Sequence, residues 1–312
     1  MWTLTQTINA VQPYIDYSPL TAGTGFEPAC SIATITRNTI MNAPFTWGWN
    51  RQSNAVSSPL TLIVNQQDYT VPLTDFGWLE RATLIPPANG KVYEIPDIYN
   101  TSVLGVSNSQ QRPNGVSVHK VTYGTSVKLR FIGVPDLAYG VILDYQALPI
   151  PFQSFAITSV ANAVGANTTY TGTFTTSSFV TGQTALIGGF VTHAANNGEF
   201  TIVSVTATTL TVANSGGTSE TATAYAVNES WAPIPDSFID IFNTLFLAEA
   251  YQAVDDPRGA QYRQRGAIML LAKAEGLTSM QKSDFLGYFL AKDAQTLTAQ
   301  LRTQQGNSAR QV

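Results

Sequence analysis

The sequence predicts an α+β protein of several domains. A helical bundle is drawn from both chain ends, an antiparallel β-domain lies between them, and a small Thr-rich β-sandwich is inserted behind it. Three observations carry this expectation. Apolar residues recur at helical spacing near both ends of the chain. The period falls to two from about residue 56 to 150. The segment 152–228 then has neither Lys nor Arg, and threonine is its commonest residue.

In the first segment, 1–52, Leu4, Ile8, Val11 and Ile15 keep helical spacing up to Pro13, a kink or an end. A second helical run, 28–42, puts Ile32, Ile35, Thr39 and Ile40 on one side and stops before Pro44. The turn PFTWGWNR then sets Trp47 and Trp49 as structural anchors.

The second segment, 53–151, is the antiparallel β-domain. LTLIV (60–64), DYTVPL (68–73), RATLI (81–85), KVYEIP (91–96), GVSVHKVTYG (115–124), VKLRFI (127–132) and YGVILDYQ (139–146) read as strands separated by turn residues. Val127, Leu129 and Phe131, and again Val141, Leu143 and Tyr145, alternate with other residues. That predicts a half-buried antiparallel hairpin.

The third segment, 152–228, alternates short strands with Asn-Gly and Gly-Gly turns, which predicts an Ig-like β-sandwich module. Helix returns over 229–297. Phe238, Ile241, Phe242, Leu245, Ala248 and Tyr251 form a wide apolar stripe. Asp255-Asp256-Pro257 breaks it, with Asp256 suited to an N-cap and Pro257 to a first helical turn. Ala260, Ala267, Leu270, Leu271 and Ala274 line the next helix, and Thr278-Ser279 opens a third. Phe242 and Leu271 are the expected core anchors. Leu247 and Met269 extend the stripe beyond what one facing helix covers, so they are expected at subunit contacts, with Arg263 and Arg265 on the surface beside them. The polar tail, 298–312, is expected to be flexible.

Signals for chemistry are weak, and no catalytic, cofactor or metal residue is expected. His119 and His193 fall in separate β-segments. GTGFEP (23–28) is half of a dinucleotide fingerprint and lacks a preceding strand. Cys30 is the single cysteine, which excludes an intrachain disulfide and suits a reducing compartment. The N-terminus lacks the pattern of a signal peptide, and no apolar run approaches the ~20 residues of a membrane span. Charged residues are only 12%, about half the usual share. The net charge of -4 argues against tight binding of a nucleic-acid backbone.

Four stretches carry a resemblance: RNTIMNAPFTWGWNR (37–51), QQDYTVPLTDFGWLERATL (66–84), VKLRFIGVPDLAYGVILDYQALP (127–149) and WAPIPDSFIDIFNTLFLAEAYQAVDDPRGAQYRQRGAIMLLAKAEGL (231–277). In that order they resemble the head-to-tail adaptor, or neck ring, proteins of tailed bacteriophages. The resemblance implies a non-enzymatic virion protein, made in the host cytoplasm and placed in the neck between capsid and tail. It implies a cyclic ring of roughly twelve copies. The ring's partners would be the portal protein and a tail, stopper or nozzle protein. Double-stranded DNA would pass through it without sequence-specific binding, and no membrane is involved. Arg302 and Arg310 make the tail locally basic, and the resemblance places such a C-terminal segment on the portal. The alternatives are a tail-tube or stopper component of the same virion, or a carbohydrate-binding, adhesin-type protein.

Overall fold

A computed structural model describes residues 2–15, 25–42, 45–87, 90–98, 110–122, 125–148, 151–229, 234–274, 277, 279–280 and 282–287. The chain divides into two compact units. One joins 1–40 to 150–312, and the other is 41–149.

The first unit opens with α1 (Leu4–Val11). A capping box starts it: the Thr3 hydroxyl accepts from the Gln6 N–H at 3.2 Å, and the Gln6 side chain accepts from the Thr3 N–H at 3.0 Å. Leu4, Thr7, Ile8 and Val11 are its buried face. In α2 (Ala29–Met41) the buried side is Ile32, Ala33, Thr36, Arg37 and Ile40. Ile35, expected inside, is exposed. The helix is rotated because Arg37 takes an interior place, its guanidinium stacked 3.8 Å from the centre of the Phe152 ring.

The second unit holds β1 (Arg51–Ser53), the single-turn α3 (Asn54–Ser57), β2 (Leu60–Thr61), β3 (Asp68–Val71), β4 (Phe76–Ile85), β5 (Tyr93–Ile95), β6 (Gly115–Thr122), β7 (Ser126–Ile132) and β8 (Gly140–Ala147). One sheet runs β1-β8-β4-β5, with β2 also on β8, and the other runs β3-β7-β6. Their inner faces share one core that includes Tyr69, Val71, Phe76, Leu129, Phe131, Leu143 and Tyr145. The expected hairpin of 127–131 with 141–145 does not form. The faces are as expected, but β7 pairs with β3 and β6, while β8 pairs with β4, β1 and β2. Gly133, at φ 93°, and the residues after it carry the chain from one sheet to the other.

Back in the first unit come β9 (Ser154–Val160), β10 (Asn167–Gly172), β11 (Thr184–Gly188), β12 (Gly198–Val205), β13 (Thr209–Ala213) and β14 (Glu220–Asn228). They close into a barrel in the order β10-β13-β12-β11-β14-β9. Register shifts at Thr171/Gly172, Ile202/Ser204 and Thr221/Ala224 mark bulges that bend the strands toward closure. The interior is filled by Phe155, Ile157, Tyr170, Phe174, Phe179, Ile187, Leu210 and Val212, among others. The expected open sandwich is therefore corrected to a barrel. Alternating burial is the same in both, and only the pairing of β9 with both β10 and β14 removes the edges.

The unit ends in α4 (Ile239–Ala253) and α5 (Arg258–Lys273). The break between them is a Schellman-type end. Asp255 sits at φ 56° and donates to Gln252 O at 3.1 Å, and Asp256 donates to Tyr251 O at 2.9 Å. The Asp256 carboxylate accepts from the Arg258 N–H at 2.9 Å. α5 then runs back along α4: Gly259 lies against Ala248 and Gln252, and Gly266 against Leu245.

The expected helical bundle from both ends is not the architecture. Strands take 36% against 31% helix, and a six-strand barrel and two sheets outweigh the five helices described. The physical reason is the Thr-rich segment, which builds a complete core of its own instead of decorating a helical body. Among the described residues no helix is long and apolar enough to cross a membrane.

Candidate functional site

The surface expected to make subunit contacts lies on α4 and α5, and the two helices together with α1 form an open groove of about 480 Å³. Ala10, Val11, Leu247 and Met269 give it apolar walls. Tyr14, Asp240, Asn243, Thr244, Tyr262 and Arg265 add polar ones. Three of the expected contact residues, Leu247, Arg265 and Met269, thus meet in one place.

Local structure fixes the groove. The Tyr251 hydroxyl donates to Tyr14 O at 2.5 Å, tying the segment after α1 to α4. The rings of Tyr251 and Tyr262 pack with centroids 5.5 Å apart, which sets the spacing of α4 and α5 at that end. The Thr244 hydroxyl donates to Asp240 O at 2.7 Å and lies 4.0 Å from Met269 Sδ. The Oδ1 atom of Asn243 is buried and has no hydrogen-bond partner among the described residues. A buried acceptor left without a donor costs free energy.

Arg263 is not at this surface. It is 3% exposed and its Nη2 lies 2.9 Å from Glu249 Oε1. This corrects the expected surface position. Arg263 falls on the same stripe as Ala260, Ala267 and Leu270, and the carboxylate of Glu249 lets a cation occupy it. Phe242 is fully buried, with ring centroids 6.5 Å from Phe246 and 6.4 Å from Phe152, and Leu271 on α5 is buried as well. In the other unit Trp47 stacks between Phe45 at 5.5 Å and Trp49 at 5.8 Å, and its backbone N–H donates to Gln146 Oε1. Arg302 and Arg310 lie outside the described residues.

Sequence reasoning missed a buried polar cluster in the first unit. The Thr5 hydroxyl donates to Glu229 Oε1, while Glu229 Oε2 is buried without a partner among the described residues. Burial pushes this carboxyl up to about 8; the Thr5 hydrogen bond works against that rise and the charge of Glu199 adds to it. Burial, with the charges of Glu27 and Glu229, pushes the Cys30 thiol up to about 12. Burial lowers Arg37 to about 9. The helical register of α2 was the available signal for Arg37, which sits one turn from both Ala33 and Ile40.

His119 is exposed on β6 and His193 lies in the barrel segment, in different units. Among the described residues no three His, Cys, Asp or Glu side chains gather where a metal could be held. No protein-family model matches the chain, and no curated protein does.

Proposed function

We propose that the chain is a structural subunit of the head-to-tail adaptor ring of a tailed bacteriophage. The observation that carries this reading is the way two of the resembling stretches meet. Segment 66–84 docks on segment 127–149 residue by residue. Asp68 pairs with Arg130 at 2.6 Å, and Tyr69 packs edge-on to Phe131. The Asp75 carboxylate accepts from the Tyr145 hydroxyl at 2.7 Å, and Phe76 packs on the Tyr145 ring. Residues of two resembling stretches thus pack on each other inside one folded unit, as expected if the resemblance reflects a common folded part.

Two further features agree. The groove on α4 and α5 offers a second, separate surface for a neighbouring subunit. A chain with net charge -4, and no Lys or Arg over 152–228, suits a channel wall that DNA must slide past. The portal and a tail or stopper protein are the proposed partners, and the neck of the virion the proposed place. The segment after Ala299, with Arg302 and Arg310, is the proposed arm on the portal.

Electron microscopy of the purified chain, alone and added to DNA-filled heads that lack it, tests the reading. The expected result is a closed ring of roughly twelve copies seated on the portal vertex. A chain that stays monomeric in both settings and leaves the heads bare would overturn it. Truncation at Ala299 should weaken seating on the heads while the ring still forms.

A further inference from the structure

We propose that Glu229 is a proton-operated latch on α1: protonated, its carboxyl holds the helix against the base of the barrel, and ionised, it lets the helix go. The inference is independent of the ring reading above.

The geometry is that of a carboxyl enclosed by protein. Glu229 is fully buried, directly after the last strand of the barrel. Its backbone N–H donates to Thr184 O at 3.0 Å, which ties it to the start of β11. One side-chain oxygen accepts from the Thr5 hydroxyl, in the first turn of α1. The other is buried and has no partner among the described residues. Thr5 thus meets the barrel through a group that can change its charge.

No cation is built to meet that charge. The chain has neither Lys nor Arg over 1–36 and over 131–257, and these spans supply α1, the start of α2 and the whole barrel. Arg37, further along α2, stacks on the Phe152 ring instead. His193 lies at the opposite end of the barrel, where its backbone N–H donates to Glu220 at the start of β14. Neither α1 nor β11 carries a titratable side chain. From β12 comes Glu199, whose charge opposes ionisation of Glu229. From α2 comes Cys30, which feels the charges of both Glu229 and Glu27. Burial is the largest influence on Glu229 and carries its carboxyl up to about 8, although the hydroxyl and N–H of Thr5 favour the ionised form.

The direction of the switch follows. Between about 4.5 and about 8 a latched Glu229 keeps its proton, while a released one gives it up to water. Each pH unit in that window therefore favours release about tenfold. Once off the barrel, α1 has little to hold it. It is 8 residues long, and an isolated helix in water needs roughly 12–15. The barrel does not follow, because its core cluster contains no residue of α1. Release therefore unravels α1 locally and bares Leu4, Ile8 and Val11.

Hydrogen exchange of the full chain at pH 6 and pH 9, corrected for the intrinsic pH dependence of amide exchange, tests the latch. Peptides covering α1 should lose protection by about tenfold or more at the higher pH, while β10 and β13 keep theirs. Glu229→Gln should hold the protection of α1 level between the two. Equal losses in α1 and in the barrel would mean that the whole unit loosens, and would overturn the proposal. So would unchanged protection of α1 in the wild type, or the wild-type loss in Glu229→Gln. Glu229→Asp gives a second reading that does not depend on how the glutamine variant folds. It keeps an acid but withdraws it from Thr5, so α1 should be poorly protected already at pH 6. Wild-type protection of α1 in that variant also overturns the latch.

Discussion

The hydroxyl of Thr5, in the first turn of α1, donates to the carboxylate of Glu229, at the end of the barrel's last strand. This bond joins two segments 224 positions apart and leaves the second carboxylate oxygen buried without a partner among the described residues. The folded carboxyl titrates near 8, against 4.5 for the group in its ordinary state. Between those values the folded chain holds a proton that the unfolded chain has released. The free energy of unfolding should therefore fall as pH rises from about 4.5 to about 8, by a few kcal/mol in total. Glu229→Gln should flatten that slope and stabilise the protein at pH 8. Urea unfolding of both proteins at pH 5, 6.5 and 8 measures it; parallel slopes would mean that the carboxyl is not the titrating group.

The buried pair of Arg263 and Glu249 separates two neighbouring arginines. Arg263→Ala leaves Glu249 without its cation and should cost about 3–5 kcal/mol. Arg265→Ala, on the open groove, should change stability by no more than about 0.5 kcal/mol. Thermal melts of the two variants decide whether they differ as the geometry requires.

Cys30 should be chemically silent. Its thiol is fully buried and pushed up to about 12, so almost no thiolate exists near neutrality. A maleimide probe should leave the native protein unmodified for hours and label it promptly in denaturant. Fast labelling under native conditions would mean that α2 opens locally.

The barrel's closure can be probed at Gly189. Its φ is 111°, and a Cβ there would lie 2.9 Å from Ala224 Cα. Gly189→Ala combines backbone strain with a clash against main chain and should cost roughly 2–3 kcal/mol. Residues 151–229 expressed alone should still show one cooperative urea transition, because their core is their own. In that fragment Gly189→Ala should shift the midpoint to lower urea.

Which residues face inward was legible in the sequence wherever the period was clean. Val127, Leu129, Phe131, Val141, Leu143 and Tyr145 are all buried, as their alternation requires. Their partners were not legible, because a period of two records the side a residue faces and nothing about the neighbouring strand. The same gap hid the barrel behind a sandwich. At the groove, Leu247 and Met269 were expected from a stripe too wide for one helix; both line it, although Leu247 is itself buried. Arg263 was expected on the surface, although its helical register places it inside, and the same kind of register places Arg37 inside α2. Asn243 and Glu229 carry no pattern at all; a lone acceptor inside a fold is visible only in three dimensions.

The strand that enters the barrel and the strand that leaves it are neighbours: Ser154 lies across from Val227 and Phe155 from Ala226 in the β9 and β14 pairing. Antiparallel Cα partners are about 5 Å apart. The polypeptide therefore departs and returns at nearly one spot. A gene could gain or shed those six strands by recombination at two nearby points, without altering the span that the flanking residues must bridge. Descent through such events would leave close kin of this protein with the barrel replaced by another module or by a short turn.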